Sequence, residues 1–583
     1  SLILSIVFQL NPEILKTHKI EPNQESLKAL KYIGAFAPKF DKGLSDITYI
    51  NNLEKDISEK IDIISLYLAW NDKETLPYKL LDSIYSNQSI PMITWEPWLN
   101  KIQVKEKNKL HVYDLINNGE LDDFIKISAL KFKKINRPFF LRFAHEFDNP
   151  FYPWFIDGDE GYIKFKKAWI HVCTIFKDQG VENAIWVWNP WHSENMLKYY
   201  PGKAYVDWVG IDILNYNQLN QDKKSYSFDQ LYNPFYIELK KIPYTPVIIA
   251  EYGALLNDSL QTKWINESLF KIETKYPEIK SLVFFNSNLD RNLPQNLLEE
   301  SIQNLDWTLS KNTAQKLDLV KPVGNEYLYT LPVLHQNEVK SKTSAKSLLL
   351  KKIKGIHLKK ENDWRKDYNV LTRYELLKDI DYIKQLNLNT IKYIGNSIYD
   401  YNVLTITKEK SINISYGFSI PVDMNFYLDP ISAIKLKKDI LDQVKKFNKY
   451  NHIISWNICD DFESKLYQNF SKPELLYQKE AYYKWINDVV LEINKLDALR
   501  PIVLELDIDA RTINKIKEVK SFSPNVHYFG LLVDDLKFLN TTINFINNNN
   551  LEYIVSSIKP NQLIENKPVS FFNLLGSNAF EAT

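Results

Sequence analysis

PFFLRFA at 138–144, GYIKFKKAWIHVCTIFKDQG at 161–180 and AIWVW at 184–188 read together as strand, helix, strand. Both strand segments are continuously apolar instead of alternating, the pattern of a parallel sheet covered on both faces. Between them Tyr162, Phe165, Trp169, Val172, Cys173 and Phe176 fall on one helical face, and Gly180 stands where the helix should stop. Upstream, Leu121, Phe124 and Ile125 begin another amphipathic helix. Downstream, VDWVGIDIL (206–214) and PVIIA (246–250) are further buried strands. About eight such repeats in about 280 residues fit a (β/α)8 barrel better than an open doubly wound sheet.

Residues 312–352 break this rhythm with Pro322-Val323-Gly324 and the run KSKTSAKS (340–347), which read as a linker with one hairpin. Alternation then resumes. Ile353 to Leu358 is a strand; Tyr374, Leu377, Ile380, Ile383 and Leu386 mark a helix; Thr390 to Ile394 is the next strand. Further strands fall at 453–458, 501–506, 526–532 and 553–556. The expected fold class is α/β, two (β/α)8 TIM-type barrels in tandem joined by a short linker. The expected divisions are an N-terminal segment (1–29), a first barrel (30–311), the linker (312–352) and a second barrel (353–583).

The chain has 583 residues, 73 Lys and Arg against 72 Asp and Glu, and a net charge of +1. Such balance offers no general field for nucleic acid or anionic membrane. Two cysteines, Cys173 and Cys459, exclude a disulfide framework, and no cofactor or metal set is expected. The aromatic share is 14 %, with 14 Trp and 35 Tyr, which serves either packed cores or the stacking of sugar rings. No apolar run reaches the roughly 18–20 residues of a membrane span. The apolar start SLILSIVFQL reads either as the clipped end of a signal or anchor segment or as a first strand. The first alternative motivates an extracytoplasmic location and a membrane tether through flanking segments.

Reactive groups in such a barrel sit at the carboxyl ends of strands. Arg142, His145 and Glu146 end one strand, and Glu251 ends another, 105 residues or about three βα units later. Strands four and seven are the expected hosts. Each Glu follows an apolar strand, where a charge is costly unless it faces the barrel mouth. Two carboxyls facing each other there suit glycoside hydrolysis, one protonating the leaving oxygen while the other attacks or activates water. For either Glu alone, an ordinary strand-end ion pair competes. A zinc protease is excluded, because Asn149 stands where HExxH needs its second His. Phosphate loops and G-x-S-x-G elbows are absent from the sequence.

Seven stretches carry a resemblance over 30–311: GAFAP (34–38), IDIISLYLAW (61–70), PMITWEPW (91–98), LRFAHEFDNPFYPW (141–154), IWVWNPW (185–191), YYPGKAYVDWVGIDILNY (199–216) and PVIIAEYG (246–253). In this order they resemble glycoside hydrolase family 26, whose members include β-mannanases, mixed-linkage β-glucanases and β-1,3-xylanases. The resemblance implies Glu146 as acid/base, Glu251 as nucleophile and a retaining mechanism. A partly dry site and the charge of Glu251 would keep Glu146 protonated. Tyr216 could donate to Glu251, while His145 and Arg142 orient the carboxylates and the sugar. For Arg142 a structural ion pair inside the barrel is the alternative. Trp95, Trp98, Trp154, Trp188 and Trp191 lie at or beyond strand ends, and two or three of them are expected to stack sugar rings. Where mannanases of the family are expected to place a Trp after the eighth strand, SLVFFNSN (281–288) offers Phe285 and Asn286. With the PMITWEPW block, this favours β-1,3-1,4-glucan over β-mannan.

The second barrel is similar, over fewer motifs, to the barrel of glycoside hydrolase family 2. These are IKGIHLKK (353–360), LKDIDYIKQLNLNTIKYIG (377–395), HIISWNICDD (452–461) and ALRPIVLE (498–505). Asp460-Asp461 replaces the expected Asn-Glu, Lys392 an expected Arg, and Ser556 and Ser557 stand where the nucleophile should be. A non-catalytic barrel is expected there, unless Glu463 or Glu505 serves. The expected function is a retaining endo-β-glycanase acting on a polysaccharide or oligosaccharide. The alternative is a non-catalytic glycan-binding or regulatory ectodomain of a polysaccharide synthesis or export machine.

Overall fold

The computed structural model describes residues 30–103, 110–220, 222–292, 304–319, 350, 353–358, 372–395, 399–459, 461–558 and the backbone of 571–573. Segment 1–29, most of the linker and Asp460 lie outside the described residues. The chain divides into two units, Ser1–Leu331 and Pro332–Thr583.

In the first unit eight strands close into a parallel barrel in sequence order. They are β1 (Tyr32–Phe36), β2 (Ile63–Ala69), β3 (Ile90–Glu96), β4 (Phe139–Phe143), β5 (Ala184–Trp188), β6 (Trp208–Asn215), β7 (Val247–Ala254) and β8 (Ile279–Phe285). Closure is made by β8 against β1, with Gly34 opposite Val283. Alternation along each strand sends every second side chain into the lumen. A small apolar plug of Tyr32, Ile63, Ile90, Met92, Phe140, Ile185, Val187, Trp208, Ile248, Ala250 and Val283 fills it. The other faces meet the helices in a much larger core. The helix Gly158–Asp178 turns Phe165, Trp169, Val172, Cys173 and Phe176 inward, the expected face. Gly161 is required there, because a Cβ would stand 2.0 Å from the Ile156 carbonyl oxygen. Ala314 belongs to this core, and Leu317 and Leu319 pack on it. The first domain therefore runs at least eight residues past the expected limit of 311.

The second unit holds an eight-stranded, nearly closed parallel sheet. Its strands are β9 (Gly355–His357), β10 (Thr390–Ile394), β11 (Asn413–Ser419), β12 (Ile453–Cys459), β13 (Ile502–Asp507), β14 (Tyr528–Val533), β15 (Glu552–Ile558) and β16 (Phe571–Asn573). The order is β15-β14-β13-β12-β11-β10-β9-β16. β11 and β16 were not legible in the sequence. NISYGFS carries Asn, two Ser and a Gly in seven residues, which masks its apolar signal.

Candidate active site

Counting by two from the apolar plug toward the carboxyl ends of β1–β8 changes the lumen from apolar to polar. Ile63 leads to Ser65 and Tyr67, Met92 to Thr94 and Glu96, and Phe140 to Arg142. Val187 leads to Asn189, Trp208 to Gly210 and Asp212, and Val283 to Phe285. β7 breaks the count. Asp212 pairs with Glu251 whereas Ile211 pairs with Ile249, so Ala250 is an extra residue relative to β6. It is also extra relative to β8, where Ile249 faces Leu282 and Tyr252 faces Phe284. This bulge re-aims the strand. Ala250 and Glu251 both take the lumen side, and Tyr252 joins the outer core.

Arg142 is the hub. It is fully buried and donates from Nε to Thr94 Oγ1 at 2.8 Å, from Nη1 to Asn189 Oδ1 at 3.1 Å and Asp212 Oδ1 at 3.2 Å, and from Nη2 to Glu251 Oε1 at 2.8 Å. Arg142 thus makes ion pairs inside the barrel with both Asp212 and Glu251. The phenol that donates to Glu251 Oε1 is Tyr67, at 2.7 Å, not the expected Tyr216. Tyr67 stands directly on the lumen count of β2, whereas Tyr216 lies past the end of β6 with its ring 5.0 Å from Trp307. Asp212 was also missed. Its second oxygen accepts from Asn189 Nδ2 at 3.0 Å.

Glu146 sits in a tight turn after β4, and both Ala144 and Glu146 are left-handed, at φ +44° and +50°. Each such residue costs about 1–3 kcal/mol and persists only where its surroundings enforce it. Here the Glu146 amide donates to the Asn189 carbonyl at 2.8 Å, and Asn149 Nδ2 donates to Glu146 Oε2 at 2.7 Å. Burial, then the charges of Asp212 and Glu251, hold the Glu146 carboxyl well above the usual range. Burial and Glu251 push Asp212 up to about 7. Burial likewise lifts Glu96, at the end of β3, to about 7. His145 is buried with Nε2 3.1 Å from the Tyr152 hydroxyl. Burial and the Arg142 charge hold its imidazole well below the usual value, hence neutral.

The five tryptophans separate by burial, and for the two that lie on strands, Trp95 and Trp188, by strand parity. Trp95 and Trp188 point away from the lumen into the outer core, at 4 % and 0 % exposure, so neither can stack a sugar. Trp154 is also fully buried; its indole donates to the His145 carbonyl at 3.0 Å, and Tyr152 covers its face at 4.4 Å. Trp98 and Trp191 remain partly open. Asp148 fixes the loop holding Trp191, accepting from the Trp191 and His192 amides at 2.6 and 2.9 Å. Phe151, 68 % exposed, stands 6.3 Å from Trp191. Among the described residues no group of three or more His, Cys, Asp and Glu is placed to hold a metal ion.

In the second unit each described candidate carboxylate is already engaged. Lys392 on β10 pairs with Glu505 on β13 at 2.7 Å, both buried in the lumen. Lys515 pairs with Asp461 at 2.7 Å, and Asp461 also caps the helix Phe462–Asn469. Tyr483 donates to Glu463 at 2.5 Å, with Lys479 at 3.4 Å. Ser556 and Ser557 are buried on β15.

A closed parallel barrel with one carboxyl just past its fourth strand and another on its seventh defines the class of site. Residues 92–274 match the family model for Glycosyl hydrolase family 26. Endoglucanase H of Acetivibrio thermocellus is 30 % identical over 252 residues, which cover 41 % of this chain and 26 % of that protein. The chain thus spans about a quarter of the length of this curated relative. Among solved structures, a family 26 β-mannanase from Bacteroides ovatus is 17 % identical with a TM-score of 0.36, covering 54 % of this chain and 96 % of that one. A β-mannanase from a symbiotic protist of the termite Reticulitermes speratus is 15 % identical with a TM-score of 0.34, covering 50 % of this chain and 88 % of that one. The family match and the curated relative support a glycoside hydrolase.

Proposed function

We propose that the first barrel is a retaining endo-β-glycanase with Glu146 as acid/base and Glu251 as nucleophile. One observation carries the reading: the two carboxyls sit in opposite electrostatic settings within one network. Glu146 is half-buried beside two other carboxyls whose charges, with desolvation, raise its pKa, so it would keep its proton, as a general acid must. Glu251 Oε1 receives Arg142 and Tyr67, donors suited to a carboxylate that attacks carbon. In the first step Glu146 would protonate the leaving oxygen while Glu251 forms the glycosyl-enzyme; in the second, Glu146 would take a proton from water. β-1,3-1,4-Glucan is the favoured polymer and β-mannan the next, since Phe285 and Asn286 stand where a mannanase-type Trp was expected. A polymeric substrate would favour a location outside the cytoplasm. The second barrel is read as non-catalytic, because each of its described candidate carboxylates is tied to a lysine.

The test is product release from mixed-linkage β-glucan, curdlan, glucomannan, mannan and β-1,3-xylan by the full chain. Glu251→Ala should abolish turnover while leaving the fold intact. Glu146→Ala should retain substrates with good leaving groups and recover with azide. Unchanged turnover in Glu251→Ala would remove it as nucleophile. Silence of the parent on every polymer, with binding to one of them retained, would favour the glycan-binding alternative.

A further inference from the structure

After β8 the chain returns to the barrel mouth. The segment 286–290 lies against 305–309, tied by four hydrogen bonds. The Leu305 amide donates to the Asp290 carbonyl at 2.8 Å, the Trp307 amide to the Ser287 carbonyl at 2.9 Å, and the Leu309 amide to Asn286 Oδ1 at 2.8 Å. The fourth runs from the Trp307 indole to Asp290 Oδ2 at 2.8 Å. Trp307 is 1 % exposed, so it is no sugar platform itself. Its ring lies over the backbone of Gly253, where an added Cβ would meet Trp307 Cε3 at 3.1 Å. Gly253 has no left-handed φ to demand glycine; a side chain there would press on the indole, which would have to give by a few tenths of an ångström. The same ring stands edge-on to Tyr216 at 5.0 Å and to Phe285 at 6.5 Å.

Gly253 is two residues past Glu251 and immediately beyond the bulge at Ala250. A bulge is a local break in the ladder, and its side-chain direction is only as fixed as its flanks. The geometry points to Trp307 as a positioning residue for Glu251: pressed on Gly253 and locked by Asp290, it clamps the carboxyl side of the β7 bulge. This rests on the glycanase reading above and names a residue about 55 positions downstream that sets its nucleophile. A misplacement near 1 Å costs about 100-fold in rate, so a loosened clamp acts on kcat ahead of KM.

The experiment uses the full chain and the polymer that the parent cleaves, with kcat, KM, the pH profile of kcat/KM and the unfolding midpoint measured for each variant. Trp307→Ala is expected to lower kcat by about 10–100-fold with KM within about 3-fold, and to shift the acid limb of the profile. Trp307→Phe should recover most of the loss. Gly253→Ala, which pushes the indole away, should show the same pattern, and the double variant should be no worse than Trp307→Ala alone. If Trp307→Ala does not fold, Trp307→Phe/Gly253→Ala against Gly253→Ala carries the test, the smaller ring relieving the clash and restoring kcat. Retention of more than half the parent kcat in Trp307→Ala, or multiplying losses in its double variant with Gly253→Ala, overturns the assignment while leaving the glycanase reading intact. A parent inert toward every polymer overturns both.

Discussion

Replacing Arg142 by Met tests the centre of the network, because the guanidinium is fully buried and holds two carboxylates at 2.8 and 3.2 Å. Removing one partner of a buried ion pair costs about 3–5 kcal/mol, since the charge left behind is uncompensated. With a urea m-value of about 3 kcal/mol/M, the midpoint should fall by about 1–1.7 M at pH 7.5. Tryptophan fluorescence reports this well, because 11 of the 14 Trp lie in the first unit. The pH dependence follows from Asp212, whose folded value of about 7 exceeds the ordinary carboxylate range. Stability from such a group is full below the unfolded pKa, about 4, and is lost as pH rises through the folded one. Arg142 opposes that rise. Without it Asp212 and Glu146 titrate higher still, and the loss continues past pH 7. The gap between parent and variant should therefore be widest at pH 7.5–8 and narrow toward pH 4–5, where both carboxyls are protonated in either protein. Arg142→Lys should lie between, keeping the charge but not the planar fork. Equal midpoints at pH 7.5, or a gap that widens on acidification, would refute the assignment of Arg142 as the counter-charge.

Three further outcomes follow from the same contacts. Asp212→Asn removes a charge that raises Glu146, so the basic limb of kcat/KM, which reports loss of the acid's proton, should move to lower pH; an unmoved limb refutes the coupling. Tyr67→Phe deletes a hydrogen bond to a charged group worth about 1.5–3 kcal/mol, so kcat/KM should fall by about 10–100-fold, whereas Tyr216→Phe leaves that bond in place. In the second barrel Lys392→Met removes the lysine that pairs with the buried Glu505 at 2.7 Å. It should lower that unit's calorimetric stability by about 3–5 kcal/mol without changing turnover, and Lys392→Met/Glu505→Leu should recover most of it.

Much of the first barrel was legible because its strands are apolar on both faces and its helices amphipathic, so hydrophobicity alone marks the elements. The site was legible only in part, and strand parity accounts for the misses. Tyr67, Glu96 and Asp212 lie an even number of residues beyond lumen-facing apolar residues on their own strands, a count the sequence permits. Trp95 and Trp188 fail the same count, and proximity to a strand end concealed it. The second barrel was harder, because polar Lys392, Ser415, Ser455, Asn457 and Glu505 interrupt the apolar runs of its strands. The pattern of β11 consequently reads as a loop.

Glu251 marks where the count itself ends. Read by strict alternation from Ile248, it would face the helices and Tyr252 would face the lumen, giving a buried charge in the outer core and no nucleophile. Ala250 reverses this by one residue, and no feature of PVIIAEYG announces a bulge, since Ala is neither Gly nor Pro. The register can be fixed only by what β6 and β8 offer on either side, together with Arg142 and Tyr67 drawing the carboxylate inward. That is long-range information. It comes from residues 109 and 184 positions away. The local sequence makes the strand, but the charge network decides which way it faces, and so the direction of the proposed nucleophile depends on groups that do no chemistry themselves.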